Sequence, residues 1–376
     1  MRRIILVNQV AGPMFIDLAN YYVDSGLHVC LLTGIVEKTG QTLSSSVEII
    51  KLTKYNRSNP LLRIITWLFF YFRAYMTLKR VKDESEVLLV SNPPLLPLLS
   101  YFLRNKQTLR FRILIYDIYP DILIRSGFLS KKSFIARWWS KKNEQAFKQA
   151  LKLFTISEEM KNVLGQYAPS GRWEVIYPWV DTTFIKPIPK EENPFVKHHK
   201  LQDKTIVLYS GNMGVSHNLL PVLHVAKKLD GVSDYFFLFI GEGAEKKRLL
   251  AYTKENALGN TQFLPFQDTQ TLPFSLTAAD IGIVTLSDAA TQMSVPSKTF
   301  YQMAAGNAIM CIANKNAELS KIVLDNNCGM VFPVDSVNEI AQYLLNLDKS
   351  ELKRFGENSR IASKKFTKSN VQQFNL

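Results

Sequence analysis

Chemistry in this chain concentrates in the stretch 280–310, DIGIVTLSDAATQMSVPSKTFYQMAAGNAIM. Pro296 can open a helix that closes at Gly306, which puts Ser297 and Lys298 in its first turn. A helix N-terminus offers free N–H groups and partial positive charge, and a lysine there works against the helix unless an anion uses it. The pattern points to a phosphate site; a simply solvated Lys298 is the plain alternative. Asp117, in YDIYPDIL at 116–123, follows an apolar run and so falls at the carboxyl end of a strand, where a carboxylate can orient or deprotonate a substrate hydroxyl. Asp121, beyond Pro120, reads instead as charge that starts a helix. Gly12, in the first loop, either admits a substrate or phosphate close to the backbone or is a plain turn glycine.

The elements that position these residues alternate between strand and helix. RIILVN at 3–8, a loop with Gly12-Pro13, a helix through Phe15, Leu18, Ala19, Tyr22 and Val23 that ends near Gly26, and a return strand at 28–33 form a parallel unit with a right-handed crossover. Further strands are expected at 47–52, 86–91, 112–116 and 153–157, with a long helix at 134–151 and Ser157 capping the next. The pattern restarts at 205–210 and continues at 235–240, 262–264, 280–286 and 309–313. Gly211-Asn212-Met213-Gly214 follows the first of these strands, where backbone N–H groups can cradle a diphosphate, and Gly241-Glu242-Gly243 follows the second. The first loop lacks GxGxxG spacing, which argues against a dinucleotide cofactor. Residues 1–181 are expected as one domain, 182–203, with Pro187, Pro189 and Pro194, as a linker, 204–360 as a second domain and 361–376 as a terminal helix. Two such sheets place a ligand cleft between them.

At 376 residues, with 47% apolar and 21% charged residues, the chain suits two folded domains. Cys30, Cys311 and Cys328 lie far apart, as buried thiols of a reducing cytoplasm do. The five histidines show no metal-ligand spacing, so no metal site is expected. Charge is uneven: residues 1–180 hold 25 Lys+Arg against 13 Asp+Glu, whereas 181–376 hold 21 against 19. The first half therefore suits an anionic partner. No recognition motif supports nucleic acid. The N-terminal apolar run is too short for a signal peptide, and no uninterrupted apolar run reaches the roughly 18 residues that span a bilayer, so an integral membrane protein is not expected. The segment 59–82 is helical, apolar nearly all round and fringed by Arg63, Arg73, Lys79, Arg80 and Lys82; burial on the sheet is the default, and a membrane-interface element the alternative.

Taken in order, Asp117 after its strand, IYPWVD at 176–181, SGNMG at 210–214, FIGEG at 239–243, FLPF at 263–266 and VPSKTFYQMAAG at 295–306 resemble the nucleotide-sugar-dependent glycosyltransferases of the GT-B fold. The likeness is to the retaining family 4 enzymes of bacterial surface polysaccharides, in particular the fucosamine-transferase-like subgroup. It implies an α/β fold of two Rossmann-like parallel-sheet domains facing a central cleft. It further implies a cytoplasmic enzyme at the inner face of the plasma membrane, moving a sugar from a nucleotide-sugar, expected to be UDP-linked, to a lipid-diphosphate-linked saccharide. No cofactor is implied. By the resemblance Lys298 meets the diphosphate, with Gly211, Asn212 and Gly214 over it. Leu264 to Phe266 contact the base, and Gly241, Glu242, Ser294, Pro296, Ser297, Tyr301 and Gln302 complete the donor site. Gly12 and Asp117 lie toward the acceptor. The family's two glutamates fall on Met293 and Tyr301, and its usual arginine falls in VSHN at 215–218. Tyr301, Gln302, Ser294 and His217 are candidates to replace their contacts. A silent binding subunit and a sugar-nucleotide epimerase are the alternatives.

Overall fold

The protein is described from a computed structural model covering residues 2–37, 41–56, 59–214, 217–293 and 295–375. It forms two compact units, one of Met1–Pro178, Gln292–Val295 and Lys368–Leu376, the other of Trp179–Thr291 and Pro296–Thr367. Both are α/β with parallel sheets.

The first unit contains β1 (Arg3–Val7), β2 (Val10–Ala11), β3 (His28–Thr33), β4 (Ile35–Val36), β5 (Glu48–Lys51), β6 (Ser85–Val90), β7 (Leu109–Ile115), β8 (Lys152–Thr155) and β9 (Trp173–Val175). Seven of these make one sheet in the order β5-β3-β1-β6-β7-β8-β9, and β2 pairs with β4 beside it. The central strands read as continuous apolar runs because both faces are covered. Ile5, Val7, Cys30, Leu32, Val87 and Leu89 share one face and pack against Phe70, Ala74 and Leu78 of the helix Pro60–Arg80. That helix buries only this stripe. Leu61, Ile64, Leu68, Phe69 and Phe72 are exposed, so the expected burial of 59–82 holds for one face alone. By length and composition Leu61–Arg80 could cross a membrane, contrary to the reading of the sequence by apolar run; the packed stripe ties it to the sheet.

The second unit contains β10 (Thr205–Ser210), β11 (Tyr235–Ile240), β12 (Thr261–Leu264), β13 (Ile281–Thr285), β14 (Ala308–Ile312) and β15 (Gly329–Phe332), in the sheet order β12-β11-β10-β13-β14-β15. The order reverses direction between β10 and β13, which pair through Val207–Ile281 and Leu208–Gly282. Open α/β sheets bind ligands at the carboxyl ends of strands around such a switch.

The boundaries differ from the expected ones in two places. Residues 182–203 lie inside the second unit, where Asn193 caps the helix Pro194–His199 and donates to the Phe274 carbonyl at 2.9 Å, with Phe195 and Val196 buried. Prolines and charges mark irregular backbone there, and two apolar anchors fix it. At the other end, the helix Lys349–Ser363 stops and a 3-10 segment Lys368–Phe374 belongs to the first unit. Tyr22 Oη donates to the Phe374 carbonyl at 2.8 Å, Arg112 Nη1 to the Asn375 carbonyl at 2.8 Å, and Lys368 pairs with Asp17 at 3.1 Å.

Arg112 is 1% exposed in the middle of β7, and its Nε sits 2.5 Å from Glu86. Removing one partner of a buried pair leaves the other uncompensated. Arg112→Ala is expected to cost about 3 kcal/mol, read as a lowered urea midpoint, and to release the tail to limited proteolysis.

Candidate active site

In the second unit the ladder between β10 and β11 continues past the strands into the two glycine loops. Gly211 N donates to the Ile240 carbonyl at 2.9 Å, Met213 N to the Glu242 carbonyl at 2.8 Å, and Gly241 N to the Leu264 carbonyl at 3.0 Å. Gly211 has φ +145 and Gly241 φ +144, conformations that side chains resist. A Cβ on Gly241 would lie 1.9 Å from the Gly211 carbonyl oxygen, so the loops touch backbone to backbone. Lys246 pins the second loop, donating to the Gly241 carbonyl at 2.9 Å and to Glu242 at 2.7 Å.

Lys298 begins the helix Lys298–Ala305, which closes at Gly306 as expected. Ser297 precedes it in helical conformation and supplies no side-chain cap; backbone carbonyls take the first-turn N–H groups instead, Thr299 N donating to the Pro296 carbonyl at 3.1 Å and Phe300 N to the Ser297 carbonyl at 3.0 Å. The Lys298 chain runs under the first loop: a Cβ on Gly211 would meet its Cε at 3.3 Å and Nζ at 3.4 Å. Its ammonium donates to Tyr209 Oη at 2.5 Å, and that hydroxyl donates to the Asn212 carbonyl at 2.6 Å. Among the described residues no carboxylate pairs with Lys298. Burial pulls its pKa from the ordinary lysine range to about 7. The sequence thus places Gly211, Asn212, Gly214, Gly241, Glu242, Ser297 and Lys298 around one end of the sheet, and the structure brings them there. Phe266 is half exposed, with its ring edge 3.4 Å from where a Cβ of Gly241 would stand, just past Leu264 at the end of β12.

Other expected donor contacts sit differently. Gln302 is buried; its Oε1 accepts from Asn307 at 2.5 Å and fills the space beside Gly282, where a Cβ would meet that oxygen at 2.5 Å. It is a core residue of the helix Lys298–Ala305, packed against Gly282 of β13, and is not turned out as a ribose contact. His217 is held by its carbonyl, which accepts from Thr285 Oγ1, and by Nδ1 at 3.3 Å from the Thr285 carbonyl. Burial, then the charge of Lys298, lowers its pKa to about 4, so it does not stand in for the missing arginine as a cation. Pro296 is buried before the helix, Tyr301 lies half-buried one turn after Lys298, and Met293 is fully buried with no acid in its place. Ser294 lies outside the described residues.

In the first unit Asp117 follows β7 as expected. Its backbone N–H and that of Tyr116 donate to Ser91 Oγ, at 3.3 and 2.9 Å, which fixes the turn. Its carboxylate has no side-chain donor among the described residues, and burial raises its pKa to about 6. Asp121 is structural: it starts the helix Asp121–Arg125 and accepts from Tyr167 Oη at 2.6 Å and Gln166 Nε2 at 3.1 Å. Gly12 caps the helix Pro13–Asp24, but the space a side chain would take is 3.0 Å from Glu37 Oε2. A phosphate is repelled there; a hydroxyl is not.

Residues 190–362 match the family model of glycosyl transferases group 1. The match spans most of the second unit. The chain is 25% identical over 327 residues to the probable glycosyltransferase WbjE of Pseudomonas aeruginosa, covering 85% of this chain and 80% of that protein. Its backbone superimposes on WaaG, a glycosyltransferase involved in lipopolysaccharide biosynthesis, with a TM-score of 0.72 at 12% identity, covering 99% of each chain. It also superimposes on Anabaena HepE in complex with UDP-glucose, with a TM-score of 0.74 at 14% identity, covering 99% of this chain and 98% of that one. The fold is therefore GT-B.

Two side chains of this site went unread in the sequence. Tyr209 is the penultimate residue of a strand that reads as pure core, and nothing short of its hydroxyl's partners separates it from one. Lys246 sits four residues after Glu242, an i,i+4 spacing that carries a readable signal. Gly241→Ala is expected to cost about 2 kcal/mol or more because backbone must move. Gly231→Ala, at φ +73 with nothing within 4 Å, should cost only about 1 kcal/mol from backbone strain. Chemical denaturation of the two variants measures the difference.

Proposed function

We propose that the protein is a retaining glycosyltransferase of bacterial surface-polysaccharide assembly. It moves a hexosyl group from a UDP-linked donor to a lipid-diphosphate-linked saccharide at the inner face of the plasma membrane. One observation carries the reading: Lys298, without a carboxylate partner among the described residues, stands at an uncapped helix start beneath two interlocked glycine loops. That arrangement is short of one anion. The relatives' printed activities, and a neighbour that holds UDP-glucose, support a nucleotide-sugar as its source.

In the proposed reaction the acceptor oxygen bonds to the anomeric carbon as the bond from that carbon to the diphosphate oxygen breaks. The acceptor proton passes to the departing phosphate oxygen on the same face, which retains configuration. Lys298 and the positive end of its helix neutralise the charge that develops on the leaving group, the task a metal would otherwise serve, so the transfer is proposed as metal-independent. Asp117, held half-protonated near pH 6, orients the acceptor hydroxyl. Phe266 offers an exposed ring to the base, and half-buried Tyr301 is proposed at the ribose.

A panel of UDP-, GDP- and ADP-linked sugars should raise the melting temperature selectively, as ligands of the native state do. Lys298→Ala should abolish the shift while leaving the unliganded protein folded. A folded protein that no nucleotide-sugar stabilises would instead be a silent binding subunit, the reading that Met293 in place of an acid favours.

A further inference from the structure

We propose that the outer face of the helix Pro60–Arg80 docks on an anionic lipid bilayer and holds the Asp117 site at the membrane surface. The docking rests on this surface alone; what it brings to Asp117 rests on the transferase reading above.

The helix is apolar on two opposite sides. Phe70, Ala74 and Leu78, spaced by four, are fully buried against the sheet. Leu61, Ile65, Leu68 and Phe72 fall about half a turn round the axis from them, and Ile64 and Phe69 flank that line. Leu61 is 68% exposed, Leu68 51%, Phe69 60% and Phe72 59%. Single exposed apolar residues need no explanation, but a stripe of six along three turns does. Among the described residues no second element of the first unit covers it.

Charge decides what would cover it. Arg73, Lys79 and Arg80 follow the stripe toward the helix C-terminus, and no carboxylate pairs with any of them among the described residues. A second copy meeting this face would set like charges against each other if the two helices ran parallel, and would lay Lys79 and Arg80 on the exposed Leu61 and Leu62 if they ran antiparallel. A spanning role conflicts with the stripe packed on the sheet. An interfacial helix with hydrocarbon and aromatic side chains in the acyl boundary and cations at the headgroups satisfies both features.

The surface is continuous with the acceptor side of the first unit. Gln9, just past β1, donates through Nε2 to the Thr66 carbonyl at 3.1 Å, so the start of the helix lies at the carboxyl edge of the sheet, the edge that carries Asp117. Tyr55 stacks on Trp67 of the helix at 6.1 Å, and Arg63 lies over the same ring at 5.4 Å. Tyr119, two residues past Asp117, stacks at 5.8 Å on Trp139. Trp139 belongs to the helix Phe134–Gln149, whose first turn exposes Phe134 and Ile135. Apolar and cationic groups thus border Asp117 on two sides, and a lipid-anchored acceptor reaches it without leaving the bilayer.

The test is flotation of the full chain with vesicles of phosphatidylethanolamine and phosphatidylglycerol, against vesicles of phosphatidylcholine alone. Two triple variants at exposed positions, Leu68→Glu/Phe69→Glu/Phe72→Glu and Arg73→Glu/Lys79→Glu/Arg80→Glu, are compared at matched melting temperature. Wild type should float with the anionic vesicles, less so at high salt, and each variant should lose at least about tenfold in partitioning. Failure of wild type to float, equal flotation with neutral vesicles, or flotation unchanged in both variants overturns the proposal. So does a stable dimer in sedimentation that the first variant dissolves, which would make the face an interface between copies. Nucleotide-sugar stabilisation is measured on the same preparations. Flotation without it leaves docking standing and removes the transferase reading, while stabilisation without flotation removes docking alone.

Discussion

Contact between the backbones of Gly211 and Gly241 sets the geometry of the second unit's site. With no side chain on either residue, the loops after β10 and β11 close to hydrogen-bonding distance and extend the parallel ladder beyond the strands. That extension gives the sheet's carboxyl edge a short, tight surface. It also leaves a channel just wide enough for the stem of Lys298, whose ammonium reaches Tyr209 and through it the Asn212 carbonyl. Loop shape and lysine position are therefore one constraint. A methyl group at either glycine disturbs both.

The electrostatics follow from that packing. A lysine whose solvent is replaced by a tyrosine and loop backbone holds its proton weakly, and the pKa near 7 expresses the cost of keeping a charge there without a counter-ion. The same charge, with burial, keeps His217 neutral. The linkage has a definite sign. Between pH 7 and the ordinary lysine range the unfolded chain holds a proton at Lys298 that the folded one lacks, so this group makes stability rise with pH across that window. Asp117 is the mirror case: its raised pKa means stability falls as pH rises from the ordinary carboxylate range to about 6. Both sites hold cost in the free protein that a ligand of the right charge or hydrogen-bonding capacity relieves.

Much of this was legible in the residues. β3, β10 and β11 coincide with the apolar runs at 28–33, 205–210 and 235–240, because strands buried on both faces leave no periodicity to misread. Pro296 and Gly306 bracket the helix that carries Lys298. What the sequence hid depended on which way a side chain turned. Gln302 looked like a ligand group until Gly282 left it a place in the core, and His217 looked like a cation before its burial was known. The linker at 182–203 was read from prolines, whereas two buried side chains and the Asn193 cap decide its attachment. The long helix at 60–80 gave its length and apolarity plainly; that only one stripe finds the sheet is a fact of packing.

Calorimetry of UDP-sugar binding at pH 8, in buffers of different ionisation enthalpy, tests the account at its centre, since the diphosphate ester itself carries no group titrating there. If Lys298 meets the diphosphate, binding raises its pKa and takes up nearly one proton per site, and affinity weakens by up to tenfold per pH unit above 7. Lys298→Met should bind weakly and without uptake. Tight binding by wild type with no proton taken up, or uptake unchanged in Lys298→Met, would contradict the assignment of this lysine to the anion.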